Sequence, residues 1–361
     1  MSKFSDFGND LYTGKRSINF VGRRKIFYTI AAVMVALAIV LPTLRGGFNF
    51  GIEFRGGSEF RVTGVANSSQ QIAIDAVHTV EAEANPLVTN VGTDGIRIQT
   101  EQLTDVKSEE VRVALAKAYG VESGAVASSF IGANWGADVT GKAINGLLVF
   151  VALAAILMAL YFRTLKMSIA AIAALLHDLI ITAGVYGALG FEVTPAAVIG
   201  FLTILGYSLY DTVVVFDKIR ENTFEVEFSE STTFAEQVNY AINQTLVRSI
   251  NTSVVAVLPV ASILFIGATL LGAGTLRDIA LALFIGIIVG TYSTIFIAAP
   301  LYSHLREGEP KYKKAAAKVL ASATRSPTQC ARLVVAGIQI SNAFALLLAE
   351  HQSVKTSVLH A

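Results

Sequence analysis

Charged residues and cysteine are both scarce in this chain of 361 residues. Only 15% of the residues are charged whereas 53% are hydrophobic, which differs from the composition of soluble globular domains. The single cysteine, Cys330, excludes a disulfide within the chain and a cysteine-based zinc cluster. Basic residues (28) nearly equal acidic residues (27), so the chain lacks the strong positive field of nucleic-acid-binding proteins. The composition therefore predicts a membrane protein with no nucleic-acid partner.

Six apolar segments are long enough to cross a bilayer, whose hydrocarbon core of about 30 Å needs roughly 20 helical residues. They are residues 26–44, 143–162, 167–189, 195–216, 250–271 and 276–301. The first segment has a long polar leader and no small-x-small cleavage site after Pro42. We therefore interpret it as a retained membrane anchor rather than a signal peptide.

Basic residues mark the cytoplasmic side of these segments. They precede the first segment, join the second to the third and follow the sixth: Lys15, Arg16, Arg23, Arg24, Lys25, Arg163, Lys166, Arg306, Lys311, Lys313 and Lys314. Both termini are therefore predicted to be cytoplasmic. The acidic loop 217–249 is assigned to the same side, because acidic residues contribute little to orientation.

A small soluble domain is predicted on the opposite face, where the hydropathy of the sequence falls. Alternating apolar residues predict a strand that includes Phe50, Ile52, Phe54, Phe60 and Val62. Further strands are predicted at 87–91, 96–99 and 125–130, helices at 71–84 and 106–119, and a hairpin turn at Thr93-Asp94-Gly95. The resulting order, β-α-β-β-α-β, is the ferredoxin-like arrangement.

The predicted fold is therefore a polytopic α-helical membrane protein, with six transmembrane helices and an extracytoplasmic ferredoxin-like α+β domain between helices 1 and 2. Its segments are a cytoplasmic N-terminal segment (1–25), helix 1 (26–44), the α+β domain (45–141), helices 2–6 (142–302) and a cytoplasmic tail (303–361). Within the tail, residues 331–349 form an apolar stretch that is short and interrupted by polar residues. We interpret this stretch as an amphipathic segment rather than a seventh span.

Polar side chains inside the predicted spans are functional candidates, because an ionisable residue there costs about 2.5 to 3.5 kcal/mol on insertion scales. Thr203, Tyr207 and Asp211 are spaced i, i+4 and i+8 and so share one face of the fourth helix. His177 and Asp178 are adjacent in the third helix and point about 100° apart, which predicts that they bond to other helices rather than to each other.

Arg248 begins the fifth span among serine, threonine and asparagine residues, and the sixth span carries polar residues at 291–294. One interpretation is a single polar seam near the cytoplasmic half of the bundle. The alternatives are that Asp211 and Arg248 reach to the membrane interface, as the long stem of arginine allows, and that His177 is a hydrogen-bonded interior histidine. Since no other predicted span carries histidine or cysteine, no metal site is predicted.

The sequence contains no nucleotide-binding loop, nucleophile elbow or metalloprotease motif. We therefore predict a protein that is not an enzyme and needs no cofactor. Its energy source would be an ion gradient or a partner protein.

Four blocks of the sequence resemble the SecF family of protein-export membrane proteins. Residues 51–57 (GIEFRGG) are similar to the motif after its first span, and residues 206–222 (GYSLYDTVVVFDKIREN) to its fourth-span signature. Residues 243–253 (NQTLVRSINTS) and 290–298 (GTYSTIFIA) resemble parts of its fifth and sixth spans, and His177-Asp178 stands where the family has a His-Asp pair. The resemblance runs from Asn19 to Leu301.

The resemblance implies a subunit related to the RND superfamily, located in the bacterial cytoplasmic membrane. Such a subunit pairs with SecD and uses the proton motive force to draw exported polypeptides through a SecY-type channel, with membrane lipid around it. Asp211 and Arg248 match the family residues tied to proton conduction. The motif residues are Gly51, Glu53, Gly56 and Gly57. The sequence departs from the family at Glu53, where Asp is usual, and at Tyr210, where Asn is usual, and the tail beyond Lys318 has no counterpart.

Our hypothesis is a proton-coupled conformational engine, with Asp211 and Arg248 at its centre and His177, Asp178, Tyr207 and Thr203 as further proton-coupling candidates. One rival is an RND-like half-transporter for lipids or small molecules, which much larger outer domains would favour. A second rival is a passive scaffold of the translocon. Proton flux in a reconstituted complex separates the scaffold from the engine.

Overall fold

The computed structural model describes residues 3–323, except 93, 225, 227–230 and 268–273. This part of the chain divides into two compact units. The first unit comprises residues 3–30, 213–247 and 295–323, and the second comprises 31–212 and 248–294. Thr93 in the predicted hairpin turn and the predicted amphipathic segment 331–349 lie outside the described residues.

Long apolar helices dominate the described chain. In chain order the helices are α1 (Lys3–Tyr12), α2 (Arg24–Leu44), α3 (Ile52–Arg55), α4 (Gln70–His78), α5 (Asp105–Tyr119), α6 (Ala133–Phe162), α7 (Leu165–Leu189), α8 (Pro195–Thr223), α9 (Phe234–Ser262), α10 (Gly274–Ser293), α11 (Ala299–Glu307) and α12 (Pro310–Ala323). π-Helical turns follow α9 (Ile263–Gly267) and join α10 to α11 (Thr294–Ala298). Within the described residues six segments are long and apolar enough to cross a membrane, namely α2, α6, α7, α8, α9 with its π-helical turn, and α10 with α11. The six predicted spans are confirmed.

Several helices are longer than the apolar segments that predicted them. α6 begins at Ala133 instead of Ala143, and α9 begins at Phe234 instead of Ile250. The predicted loop 217–249 is therefore helical up to Thr223 and again from Phe234. Hydropathy detects the part of a helix that can lie in lipid, whereas backbone hydrogen bonding continues the helix through polar residues.

The sheet domain, which we define as residues 57–131, lies between α2 and α6. Its strands are β2 (Gly57–Thr63), β3 (Leu87–Val91), β4 (Gly95–Thr100) and β5 (Val126–Ile131). All neighbouring strands are antiparallel, in the order β3-β4-β2-β5, and α4 and α5 contribute buried residues to the same core. Fully buried side chains from both layers form this core, including Phe60, Val62, Ile96, Ile98 and Leu115. The predicted ferredoxin-like order is confirmed.

The strand predicted from Phe50 to Val62 is wrong in its first half. Residues Asn49–Phe50 form a short strand, β1, which pairs in parallel with β6 (Glu192–Val193), and the chain then turns into α3. Gly56 and Gly57 adopt φ values of +79° and +147°, which favour glycine. A Cβ on Gly57 would lie 2.4 Å from the carbonyl oxygen of Thr100. These two glycines therefore end α3 and let β2 begin.

Small residues bring the long helices close together. A Cβ on Gly286 of α10 would lie 2.3 Å from Cγ1 of Ile204 on α8, and a Cβ on Gly184 of α7 would lie 2.3 Å from Cβ of Ala38 on α2. Side chains of any size at these positions would force the helices apart. The helices pack at these points through glycine, as is common in membranes.

In the first unit, the N-terminal segment is bound to the start of α9. Oδ1 of Asn239 accepts hydrogen bonds from the backbone N–H groups of Phe20 (2.8 Å) and Val21 (3.2 Å). Oδ1 of Asn243 accepts one from Ile18 N–H (2.8 Å), and its Nδ2 donates to the Ile18 carbonyl (2.9 Å). These bonds satisfy backbone groups that have no helical partner.

Candidate functional site

Asp211 is a buried carboxylate on α8, in the second unit. Its Oδ1 accepts a hydrogen bond of 2.9 Å from the hydroxyl of Ser249 on α9. Its Oδ2 is buried and has no hydrogen-bond partner among the described residues. Only 4% of the residue surface is exposed. A buried ionised oxygen without a hydrogen-bond donor is costly, so this atom is the unsatisfied end of the Asp211 carboxylate.

A network of hydroxyl groups continues from Asp211 along α8, α9 and α10. The hydroxyl of Ser253 lies one turn along α9 from Ser249, bonds to Oγ1 of Thr291 (2.5 Å) and accepts from the hydroxyl of Tyr207 (3.3 Å). We call Tyr207, Ser249, Ser253 and Thr291 the hydroxyl seam. Each hydroxyl can both donate and accept a hydrogen bond. The seam therefore offers Asp211 an environment that is polar but carries no charge of its own.

Asp178 is a second buried acid, on α7. Its Oδ2 accepts hydrogen bonds from the hydroxyls of Ser208 on α8 (2.6 Å) and Ser293 on α10 (2.8 Å). Its Oδ1 lies 3.2 Å from Nδ1 of His177. The prediction that Asp178 bonds to other helices is confirmed, but the prediction that it does not bond to His177 is wrong, since rotation about the two side chains brings the groups within reach.

Gly290 makes room for the bonds of Asp178. A Cβ at this position would lie 3.2 Å from Oγ of Ser208 and 3.5 Å from Oδ2 of Asp178. Nε2 of His177 is buried and has no hydrogen-bond partner within the described part of the chain. Asp178 is therefore bonded to Ser208 on α8 and Ser293 on α10 as well as to His177 on α7. Nε2 of His177 takes no part in these bonds.

Two of the predicted site residues are exposed and form no hydrogen bond to these acids among the described residues. Thr203 is exposed on α8, and its hydroxyl donates to the carbonyl of Ile199 (2.7 Å). Arg248 is exposed on α9, next to Ser249. No ion pair between Asp211 and Arg248 occurs among the described residues, and Asp211 bonds instead to the hydroxyl of the next residue. The structure thus brings Tyr207 and Asp211 to the seam and leaves Thr203 and Arg248 on the surface of the second unit.

The sequence interpretation did not identify Ser208 and Thr212 as site residues. Ser208 donates to Asp178, and Oγ1 of Thr212 lies 3.0 Å from Oγ1 of Thr294. Both lie four residues or fewer from Asp211 along α8, and their small hydroxyls resemble packing residues in sequence. A hydroxyl at i−3 or i+1 of an intramembrane acid is the signal that would have found them.

The family-motif residues lie beside the sheet domain, where Glu53 belongs to a separate cluster of charged side chains. Glu53 on α3 has Oε1 at 3.8 Å from Nη2 of Arg97. Burial raises the pKa of Glu53 above its usual range, and the nearby Glu192 and Glu59 add to this while Arg97 opposes it. A Cβ on Gly51 would lie 2.3 Å from Oε2 of Glu53, so a side chain there would displace this carboxylate. Among the described residues no group of three His, Cys, Asp or Glu side chains is arranged to hold a metal ion.

Two family models match the chain. The model described as "Protein export membrane protein SecD/SecF, C-terminal" matches residues 111–308, which is more than half of the chain. The model described as "SecD/SecF GG Motif" matches residues 46–63. The second match includes Gly51, Glu53, Gly56 and Gly57.

Curated relatives agree with these matches. A protein translocase subunit SecF from Streptomyces coelicolor is 44% identical over 322 residues, covering 89% of this chain and 85% of the relative. A protein translocase subunit SecF from Mycobacterium tuberculosis is 44% identical over 312 residues, covering 83% of this chain and 70% of the relative. A protein translocase subunit SecDF from Thermus thermophilus is 33% identical over 292 residues, covering 78% of this chain and 38% of the relative.

The fold is also that of a solved family structure. The crystal structure of SecDF from Thermus thermophilus, described as a translocon-associated membrane protein, superposes with a TM-score of 0.69 at 30% sequence identity. The match covers 81% of this chain and 39% of the SecDF chain, so the chain spans well under half of that relative. From its sequence family, its curated relatives and its fold, this multi-pass membrane protein belongs to the SecD/SecF protein-export family as a SecF-type protein translocase subunit.

Proposed function

We propose that the protein uses the proton motive force to promote protein export, and that Asp211 is the group that takes up and releases the proton. The observation that carries the proposal is the buried carboxylate of Asp211, which is bonded on one oxygen to a neutral hydroxyl and has no bond on the other. A hydroxyl can donate to an ionised carboxylate and accept from a protonated one. Ser249 therefore supports both states of Asp211 without a large rearrangement.

The energy available from a proton is sufficient for this role. One elementary charge that crosses the membrane potential gains about 2.3 kcal/mol per 100 mV, which is comparable to the cost of about 2.5 to 3.5 kcal/mol for one charged residue in the membrane. A free-energy change of this size biases a two-state conformational equilibrium. Changing the charge of Asp211 would alter the hydrogen bonds between α8, α9 and α10, and this would drive movement of the sheet domain.

A membrane partner is supported by the surface of α8 and α9. Thr203, Gly206 and Tyr210 are exposed on one face of α8, and Arg248 and Asn251 are exposed on one face of α9. Lipid does not satisfy an arginine and an asparagine at these positions. We propose that SecD covers this face. The curated SecDF relative, 38% of whose length matches this chain, supports such a partner. Arg248 would then act at the partner interface and tune Asp211 from there.

The proposed location is the bacterial cytoplasmic membrane, with both termini in the cytoplasm and the sheet domain outside. The basic flanks of the spans support this orientation. The SecY-type channel and the exported polypeptide are the further proposed partners. No cofactor or catalytic step is proposed. Labelling of single cysteines at exposed Ala118 and Ser17, in a Cys330→Ser background, tests the orientation: an impermeant reagent added outside intact cells should modify only the first.

Export driven by a proton gradient in membrane vesicles tests the proposed function. We expect Asp211→Asn to abolish gradient-dependent export while leaving association with SecD intact, because Asn keeps the size of the side chain but cannot titrate. Arg248→Met should also abolish it, and the double variant should be no worse, because coupled residues do not act additively. Asp138→Asn, the same change at an exposed position on α6, is the control. Full gradient-dependent export by Asp211→Asn at normal expression would favour a passive scaffold.

A further inference from the structure

Three carboxylates surround one arginine at a place distinct from the transmembrane acids. Nε of Arg97 on β4 lies 2.7 Å from Oε2 of Glu59 on β2, and its Nη1 lies 3.0 Å from Oε2 of Glu192 on β6. Oε1 of Glu53 on α3 lies 3.8 Å from Nη2 of Arg97. Nε2 of Gln99 donates to Oε1 of Glu192 (2.8 Å). We call these five residues the Arg97 clasp.

The Arg97 clasp joins the sheet domain to the connection between α7 and α8. Arg97, Gln99 and Glu59 belong to the sheet domain, whereas Glu192 lies in that connection. The short pairing of β1 with β6 reinforces the junction, because Gly51 N–H donates to the Val193 carbonyl at 3.0 Å. Since the contacts come from chain segments far apart in sequence, they fix the orientation of one folded part against the other.

The same connection is tied to the start of α10. Oγ1 of Thr194 donates to Oδ2 of Asp278 (2.8 Å), and the hydroxyl of Tyr186 donates to the Asp278 carbonyl (2.8 Å). α7 carries Asp178 and α8 carries Asp211. A change in the position of either helix is therefore transmitted to Glu192 through a connection of only a few residues.

Negative charge exceeds positive charge in the Arg97 clasp. A second cation, Arg61, has its Nη2 3.6 Å from Oε1 of Glu59, but its side chain is 52% exposed. Arg277 and Asp278 line the same cavity of about 400 Å³ and contribute no net charge. Oε2 of Glu53 is buried without a hydrogen-bond partner among the described residues. A proton on this oxygen would remove one of the two negative charges by which the three carboxylates exceed Arg97.

We propose that Arg97 is a positioning residue that holds the sheet domain on the α7–α8 connection, and that protonation of Glu53 closes the clasp. The sign follows from the buried state of Glu53, whose pKa is raised mainly by burial. The closed clasp binds the proton more tightly than an open one, so closure is favoured as pH falls and is weakened as pH rises through the raised pKa. This proposal depends neither on membrane orientation nor on export activity.

Distances between two spin labels on the full chain in lipid nanodiscs test the proposal. One label is placed at Ala118 on α5 and the other at Leu189 at the end of α7, both exposed, in a Cys330→Ser background. At pH 5 we expect one narrow distance distribution, and at pH 8 a distribution broader by about twofold as open states are populated. Arg97→Met should give the broad distribution at both pH values, and Glu53→Gln the narrow one at both.

The control is Arg112→Met, which removes a surface arginine that bonds to Glu109 in the same domain and should behave as the unmodified chain does. Amide protons at Phe60 and Ile98 must stay protected relative to the unfolded chain in every variant, even where their exchange is faster, which shows that the sheet domain is folded. Arg97→Lys, which keeps the charge, should restore part of the narrow distribution. A narrow distribution in Arg97→Met at pH 5, where the unmodified chain is narrow, would overturn the positioning role. Retained pH dependence in Glu53→Gln would overturn the role of the proton.

Discussion

Two groups of acids in this protein, one buried among the transmembrane helices and one partly buried at the sheet domain, are stabilised in opposite ways. In the transmembrane helices, Asp178 and Asp211 accept hydrogen bonds from serine hydroxyls. In the Arg97 clasp, Glu59 and Glu192 lie within 3.0 Å of a guanidinium. The first environment consists mainly of neutral hydroxyl groups, with His177 beside Asp178, whereas the second is dominated by a guanidinium.

The difference indicates different tasks for the two groups. A hydroxyl bonds to a carboxyl group in either protonation state, so a hydroxyl-lined acid can exchange a proton with small structural change. A guanidinium bonds strongly only to the ionised form, so an acid beside it couples its charge to the position of the arginine. The transmembrane acids are thus suited to proton exchange, and the clasp is suited to holding two folded parts together.

The largest effect on stability is expected from removing the cation of the clasp. Arg97→Met leaves three carboxylates without their shared partner. We therefore expect the free energy of unfolding of the sheet domain to fall by about 2 kcal/mol at pH 8. This loss is smaller than that for a fully buried ion pair, because the groups are partly exposed. At pH 5 the loss should be smaller, because protonation of Glu53, whose pKa is raised by burial, removes part of the repulsion among the carboxylates. Hydrogen exchange of β2 and β4 at both pH values measures this.

A loss in Arg97→Met that is equal at the two pH values would show that packing rather than charge holds the junction. Arg112→Met, which breaks the pair with Glu109 and a bond to the Ser123 carbonyl, should change the free energy of unfolding by the same amount at the two pH values.

A smaller effect is expected from removing one hydroxyl donor of Asp178. Ser208→Ala and Ser293→Ala should each lower the stability of the protein by about 1 to 1.5 kcal/mol, the usual net contribution of one hydrogen bond to a polar group. Combined with Asp178→Leu, which removes the acceptor, each serine change should cost less, because the pair no longer interacts. Thermal unfolding in detergent tests this. Fully additive costs would mean that the serines stabilise the helices without acting on Asp178.

The fold and the number of membrane-spanning segments follow from local sequence patterns in this chain, whereas the contacts of the site do not. Apolar length predicted the six spans, and alternation with turn residues predicted the order of the sheet domain. The spacing of Tyr207 and Asp211 also placed both on the face that meets α9. The contact between Asp211 and Ser249 joins residues 38 positions apart, and no local period encodes such a pair.

The contacts of the Arg97 clasp are even less predictable from local sequence patterns. Its salt bridge between Arg97 and Glu192 joins residues 95 positions apart, and Arg97 is an ordinary polar position of an alternating strand in the sequence. Glu53 was identified only as a departure within the family motif. The sequence thus identifies the motif, but its charged partners on β4 and β6 are identified only from the structure.

The smallest effect is expected from shortening the chain. Tyr312, Ala315 and Val319 of α12 are buried, so a deletion that keeps the whole of α12 and removes residues 324–361 should leave both export and association with SecD unchanged. A pull-down with SecD and an export assay measure this. Loss of SecD association would identify the tail as a partner-binding segment and would extend the interface beyond α8 and α9.

The most direct test of the central claim is proton flux through the complex with SecD, reconstituted in liposomes under an imposed membrane potential. If Asp211 exchanges the proton, the unmodified complex carries a potential-dependent flux, and Asp211→Asn reduces it to the level of liposomes without protein. Asp138→Asn should carry the flux of the unmodified complex. A flux in Asp211→Asn equal to that of the unmodified complex would contradict the account and would place the proton-exchanging group elsewhere.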